Sequence, residues 1–222
     1  MPAAEFQHTL AKTASLSGVS LHTGAKVSLK IQPAPANSGI KFKRKDLQDE
    51  PTIDATIANV KTVERATTIG EGSVRLHTVE HALAALSACG VDNAIIEMDA
   101  NEPPIGDGSA LAYVEAIKKA GVTAQEAPRQ FLHVREPISV ESKTGSLLIL
   151  LPDDEFRISC TQAGPEGRFT QFMSTVVSPA ISEKETDPAP PFLDYRDPHP
   201  FAERTPPQGA TPQEPPPGIR PP

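Results

Sequence analysis

The chain has 222 residues, a formal net charge of −7 and an apolar fraction of 38%, which fit one large or two small globular domains. The negative charge argues against a nucleic-acid groove, because phosphate contacts need clustered Lys and Arg, and the basic cluster Lys41–Lys45 is interpreted as a solvated face. No run of about 18 apolar residues and no signal peptide is recognisable, so we expect a cytoplasmic protein without a transmembrane segment. Cys89 and Cys160 each lie in an apolar stretch and are expected to be buried thiols, not a disulfide.

Short strands are predicted along most of the chain. In VSLKIQ, Val27, Leu29 and Ile31 alternate with polar residues, which is the period of a half-buried strand, and Pro33 ends the run. Similar β-type runs follow at Ile53–Ile57, Ala94–Met98, Phe131–Val134, Ile138–Val140, Leu147–Leu151 and Phe156–Cys160.

Two helices are predicted among these strands. The first begins with Thr78 as its N-cap and ends at Gly90, and the second begins with Asp107 or Ser109 and ends at Gly121. Their apolar stripes recur at helical spacing. The stripes consist of Val79, Leu83 and Leu86 in the first helix and of Leu111, Val114 and Ile117 in the second.

Clustered strands with few helices predict an α+β fold, in which a two-layer sheet/helix sandwich at 1–125 is followed by an incomplete domain of the same kind at 130–185. The boundary is expected in the polar segment 123–129. From Asp187 onward 13 of 36 residues are proline, which predicts a disordered or polyproline II tail at 186–222. That tail is either a proline-rich ligand or tether, or it is not a natural continuation of the domain, such as a frameshifted segment; we favour the second interpretation.

Three segments carry residues suited to chemistry. The tetrapeptide TVEH places Glu80 and His81 in a first helical turn, as a general base beside a metal ligand, although spacing alone is explained better by an exposed helix start. The segment GVSLHTG holds His22 between two glycines, which fits an imidazole aimed at a ligand or an ordinary surface turn. A tight turn feeding an N-cap explains Pro103–Ala110.

Together these segments resemble one family. GVSLHTG, PAPANSGIKFKR, RATTI at Arg65–Ile69, TVEHALAAL and IIEMDANEPPIGDGSA are similar to the first half of the UDP-3-O-acyl-N-acetylglucosamine deacetylases. The similarity runs from about Gln7 to about Gly121. It continues more loosely, through FLHVREPISV and FRISC, to about Ser182.

The resemblance implies a Zn²⁺-dependent hydrolase of lipid A synthesis, in a bacterium with lipopolysaccharide, that removes the N-acetyl group of a small-molecule substrate, UDP-3-O-acyl-N-acetylglucosamine. It also implies that each domain is a β-sheet layer packed on helices, with the active site between two domains. On this sequence Glu80 would be the catalytic base and His81 the first zinc ligand. The residues implied near the substrate are His22, Thr67, Thr68 and Ile69.

Two zinc ligands of the family, a His-x-x-x-Asp pair, and its general-acid histidine have no match in this sequence. The nearest imitation, His199–Glu203, is flanked by prolines and is interpreted as a coincidence. We therefore expect a chain truncated in its second domain, with little or no activity alone. The alternatives are a non-catalytic sugar-nucleotide-binding or partner-binding fragment, and a defective product that leaves Leu147–Leu151 and Phe156–Cys160 exposed.

Overall fold

The computed structural model describes residues 6–64, 66–163 and 170–177, which form a mixed α+β fold with many strands and few helices. None of the helices in these ranges is long and apolar enough to cross a membrane. The helices are α1 (Glu80–Ala88) and α2 (Leu111–Ala120), with a 3₁₀ turn at Ile57–Asn59. The strands are β1 (Phe6–Leu10), β2 (Ala14–Val19), β3 (Lys26–Pro33), β4 (Ile40–Arg44), β5 (Thr52–Asp54), β6 (Val60–Thr62), β7 (Thr68–Glu71), β8 (Val74–Leu76), β9 (Ala94–Met98), β10 (Val122–Pro128), β11 (Ile138–Glu141), β12 (Leu147–Leu150), β13 (Arg157–Gln162) and β14 (Gln171–Val176).

A five-stranded sheet in the order β2-β3-β9-β4-β5 forms the first layer, with β4 and β9 parallel and the other neighbours antiparallel. Ile96 lies opposite Ile31 on one side and Phe42 on the other, and all three side chains are fully buried. The opposite face of the same strands places Lys30 against Glu97. Because side chains alternate between the two faces of a strand, only one face of the sheet needs an apolar cover.

The two helices supply that cover. They pack on each other, and their buried residues belong to one hydrophobic cluster with the inner face of the sheet. Full burial of side chains such as Leu86 and Ile117 stabilises the fold by about 1.5–3 kcal/mol each. The predicted helix ends at Gly90 and Gly121 are confirmed, since α1 and α2 stop just before them.

Both predicted helix starts need correction. Thr78 does not cap α1, because its backbone has a positive φ of 55° and its hydroxyl bonds elsewhere. The N-cap position of α2 is Ala110. Ser109 lies one residue before this position, and its hydroxyl oxygen accepts the Leu111 N–H at 3.2 Å. The Asp107 carboxylate accepts the N–H and the hydroxyl of Ser109.

The polar segment at 123–129, where a boundary is expected, is largely strand. Residues 122–128 form β10, which pairs antiparallel with β1 in a two-stranded sheet of their own. The division into domains at 1–125 and 130–185 stays a prediction. The predicted tail at 186–222 lies outside the described residues.

Beyond β10 the described strands form two hairpins, β11-β12 and β13-β14. The predicted strands at Ile138–Val140, Leu147–Leu151 and Phe156–Cys160 are confirmed within one or two residues, and their large apolar side chains are exposed as expected for an uncovered sheet. No strand forms at Phe131–Val134, and Ile53–Ile57 is divided between β5 and the 3₁₀ turn.

The predicted burial of the two thiols is wrong for Cys160. This residue lies on β13, whose described residues are all exposed, and β14 is its neighbour in a two-stranded sheet. Cys89 is half-buried at the end of α1, and the two cysteines form no disulfide with each other.

Candidate active site

Glu80 and His81 are the first two residues of α1. The backbone N–H of Thr67 donates to Oε2 of Glu80 at 2.9 Å, and the Thr67 carbonyl oxygen accepts the N–H of Val79 at 3.3 Å. One peptide segment therefore holds both the carboxylate of Glu80 and the backbone just before it. An acidic side chain in this position is also favoured by the positive end of the helix dipole.

Thr68 and His77 lie side by side because β7 and β8 form a hairpin whose open end faces the start of α1. Oγ1 of Thr68 is 3.0 Å from Nδ1 of His77. Burial lowers the pKa of His77, since desolvation disfavours the imidazolium, and the carboxylate of Glu102 partly opposes this effect, while the nearby His22 lowers the pKa further. The depressed pKa of His77 favours a neutral ring at neutral pH.

The loop that carries His22 lies beside this hairpin. Its backbone N–H groups at His22 and Thr23 donate to the buried carboxylate of Glu102, and the hydroxyl of Thr78 donates to the same carboxylate at 2.7 Å. The His22 side chain itself is exposed. The structure thus brings His22, Thr67, Thr68, Glu80 and His81 to one place, the start of α1.

Ile69 differs from the other residues implied near the substrate. It lies on β7 opposite Leu76, is 2% exposed and belongs to the hydrophobic core. Its side chain therefore has no surface at which a substrate could bind in this structure.

Asp107 also acts on this region. The hydroxyl and N–H of Ser109 lower the pKa of the Asp107 carboxyl, and the nearby His81 lowers it further. Sequence reasoning treats Asp107 only as a helix cap. The Asp107 side chain is exposed.

The donor set fits one part of a zinc site. Within residues 6–64, 66–163 and 170–177, no group of three or more His, Cys, Asp or Glu side chains converges on a point. His81 supplies an imidazole, which is a common zinc ligand. A catalytic zinc takes three protein ligands, so the described residues by themselves do not complete such a site.

Glu102 is the residue that sequence reasoning missed. It is completely buried and accepts four hydrogen bonds, although nothing in its local pattern marks it as functional. The sequence carries one indication of its role. Glu102 is followed by Pro103 and Pro104, which have no N–H groups and so cannot donate to its carboxylate. Because these neighbours cannot supply hydrogen bonds, a buried carboxylate at this position needs donors from distant segments.

A pocket of about 300 Å³ lies at the other end of α1 and does not border this site. It is lined by Ile40, Leu83, Leu86, Ser87, Gly90, Val91, Asp92 and Arg129. At the start of α1, Thr67, Glu80 and His81 are half-buried, Thr68 is buried and His22 is exposed.

Known proteins resemble this chain over most of its length. The family model for UDP-3-O-acyl N-acetylglycosamine deacetylase matches residues 7–209. A bifunctional LpxC/FabZ enzyme of Porphyromonas gingivalis is 46% identical over 160 residues, which cover 72% of this chain and 35% of the relative. The UDP-3-O-acyl-N-acetylglucosamine deacetylase of Myxococcus xanthus is 46% identical over 162 residues, or 72% of this chain and 51% of the relative. The matches thus span between about a third and a half of these relatives, and the chain belongs to the UDP-3-O-acyl N-acetylglycosamine deacetylase family.

Proposed function

We propose that this chain carries the base and one metal ligand of a zinc-dependent deacetylase that hydrolyses the N-acetyl group of UDP-3-O-acyl-N-acetylglucosamine in lipid A synthesis. Membership of the family and the names of the similar relatives support the reaction class. The observation that carries the proposal is the pair Glu80 and His81 in the first turn of α1, with the Glu80 carboxylate held by the Thr67 N–H.

Zinc, when bound, supplies a water of lowered pKa and polarises the amide carbonyl. His81 would hold the metal through a ring nitrogen. Glu80 would accept the proton that water loses as its oxygen attacks the carbonyl carbon, and the Thr67 N–H would keep one carboxylate oxygen fixed while the other takes the proton. The carbon–nitrogen bond then breaks, acetate leaves, and the amine takes up a proton from a general acid outside the described residues.

His22, Thr67 and Thr68 are proposed to line the substrate side of this site. The remaining zinc ligands are proposed to come from another chain, because the His-x-x-x-Asp pair of the family has no match in this sequence. This division predicts little activity for the chain alone. A cytoplasmic location and the absence of a nucleic-acid partner stay predictions.

Zinc content is the first test. After dialysis against buffered free zinc, elemental analysis of the intact chain is compared with that of His81→Ala and of the control His133→Ala, an exposed histidine outside the site. We expect His81→Ala to lose most of the bound zinc and His133→Ala to lose none. About one tightly held zinc per chain would mean that the site is complete, weaker zinc that still depends on His81 would mean a partial site, and zinc that is indifferent to His81→Ala contradicts the proposal.

Hydrolysis of UDP-3-O-acyl-N-acetylglucosamine is measured on the chain alone and on the chain co-expressed with the C-terminal half of the Myxococcus xanthus relative. We expect chelator-sensitive hydrolysis that rises on co-expression. Glu80→Gln is expected to lower the rate about 100-fold or more, because the amide cannot accept the proton. Equal rates for Glu80→Gln and the parent chain would refute the role of the base.

A further inference from the structure

Glu102 has a carboxylate that is buried from solvent and is fully engaged. Its side chain is 0% exposed. The carboxylate accepts the N–H of His22 at 3.1 Å, the N–H and hydroxyl of Thr23 at 2.9 and 3.1 Å, and the hydroxyl of Thr78 at 2.7 Å. Because burial of a charge without partners is costly, these donors decide whether the position is tolerated.

The backbone around Glu102 reinforces the same link. The Ser20 hydroxyl donates to the Glu102 carbonyl oxygen at 2.8 Å, and the His77 N–H donates to the Asn101 carbonyl oxygen at 2.9 Å. The Ile105 N–H donates to the carbonyl oxygen of the last residue of β2 at 3.0 Å. The segment that follows β9 therefore lies between the His22 loop and the start of α1, and it bonds to both.

Thr78 is the point at which this link reaches α1. Its φ of 55° lies in the left-handed region, which is unusual and strained for a β-branched residue. Such a conformation persists only when the surroundings fix it, and the hydrogen bond to Glu102 is one of the contacts that do so. The strained residue comes two positions before Glu80 and three before His81.

We propose that Glu102 is a positioning residue, which sets the His22 loop in register with the Glu80 and His81 pair through Thr78. The proposal rests on the proposed function only in treating those residues as one site.

The test uses the intact, isotope-labelled chain and follows its backbone amide signals and histidine ring signals by NMR. Glu102→Gln keeps the shape of the side chain and removes its charge. The matched control is Asp92→Asn, the same chemical change in a carboxylate at the other end of α1, where it accepts bonds from His8 and Arg129. The decisive readouts are the Thr67 amide, which bonds Glu80 and not Glu102, and the His81 ring.

We expect Glu102→Gln to accelerate amide exchange at His22 and Thr23 by about tenfold or more, which corresponds to about 1.4 kcal/mol, and to shift the Thr67 and His81 signals. Asp92→Asn is expected to leave all four signals in place. A folded Glu102→Gln chain with unchanged Thr67 and His81 signals overturns the proposal, because Glu102 would then only anchor the loop.

Thr78 variants keep the proposal testable if Glu102→Gln does not fold. Thr78→Val retains the shape and removes the hydroxyl, and it should reproduce the Thr67 and His81 shifts, whereas Thr78→Ser should restore the parent signals. Identical spectra for Thr78→Val and Thr78→Ser would argue against the link. These readouts do not depend on zinc or hydrolysis, so failure of the deacetylase assignment would leave them interpretable.

Discussion

His77 is a half-buried imidazole whose pKa lies below its ordinary value of 6.5 because burial disfavours the charged ring. In the unfolded chain the ring regains its ordinary pKa. Between the two pKa values the unfolded state binds more protons, so the free energy of unfolding rises with pH in this window. The contribution of His77 to stability is therefore complete above about pH 6.5 and is lost as the pH falls toward the folded-state pKa.

The lowered pKa of His77 predicts how the free energy of unfolding depends on pH. Urea unfolding at about pH 7.5 and about pH 5.5 should show a larger loss of unfolding free energy in the parent chain than in His77→Gln, which keeps a polar partner for Thr68 but does not titrate. His133→Gln, at an exposed site, is the matched control and should behave as the parent does. An equal loss in the parent and His77→Gln would contradict the prediction.

The sequence predicts the proposed catalytic pair better than it predicts the residues that hold it in place. Glu80 and His81 are adjacent in the chain, so a helix start places them together without any knowledge of the rest of the fold. The partners of Glu102 lie about 80 residues earlier at His22 and 24 residues earlier at Thr78. Such pairings depend on how β2, β9 and α1 pack, and no local pattern encodes them.

At the scale of elements, α1 ends at a glycine that its backbone requires. Gly90 has a φ of 70°, and a Cβ at this position would meet its nearest neighbour, the Arg129 guanidinium, at an ordinary 3.8 Å. The penalty for Gly90→Ala is therefore conformational and not steric, and we expect a loss of about 1–2 kcal/mol in the free energy of unfolding. Ser87→Ala, at an exposed helical position, should change it by less than about 0.5 kcal/mol.

Chemical denaturation of the parent, Gly90→Ala and Ser87→Ala chains checks this expectation. An unchanged midpoint in Gly90→Ala would mean that the helix end relaxes to another conformation. A loss well above 2 kcal/mol would instead point to disrupted packing against Arg129.

The strands differ in how far the sequence reveals them. Alternation along the strand makes both β3 and β9 recognisable, because every second residue is buried. The segment VTAQEAP lacks this signal, yet it forms β10, because β1 offers a free edge to which it pairs. Pairing with a distant partner supplies the stabilisation here, and that information lies outside any local window.

At the scale of the whole molecule, the pairing of β1 with β10 ties residues 6–10 to residues 122–128 and predicts how much chain is needed for a stable fold. We expect a fragment of residues 1–129 to unfold cooperatively, whereas a fragment of residues 1–121 should not, because it leaves β1 unpaired. Circular dichroism and urea unfolding of both fragments, with the intact chain as reference, test this. Cooperative unfolding of the shorter fragment would show that β10 is dispensable and would favour an earlier domain boundary.

The hairpins beyond β10 contrast with the strands and helices before it, which share a buried core. In β12 every residue is exposed, and the exposed fraction of Leu148 is 64%. Apolar strands in this state favour association with other surfaces. Co-expression with the C-terminal half of a relative should therefore raise the yield of soluble chain, and an unchanged yield would mean that these strands are not what limits solubility.

The same β1–β10 pairing also constrains how the protein is made. Phe6 lies opposite Pro128, so the first strand is synthesised long before its partner. At about 5–20 residues per second, the ribosome needs roughly 6–24 s to reach β10 after β1. The speed of translation, and not the diffusion of the chain, sets the earliest moment at which this sheet edge closes, and until then β1 is open to pairing with other nascent strands.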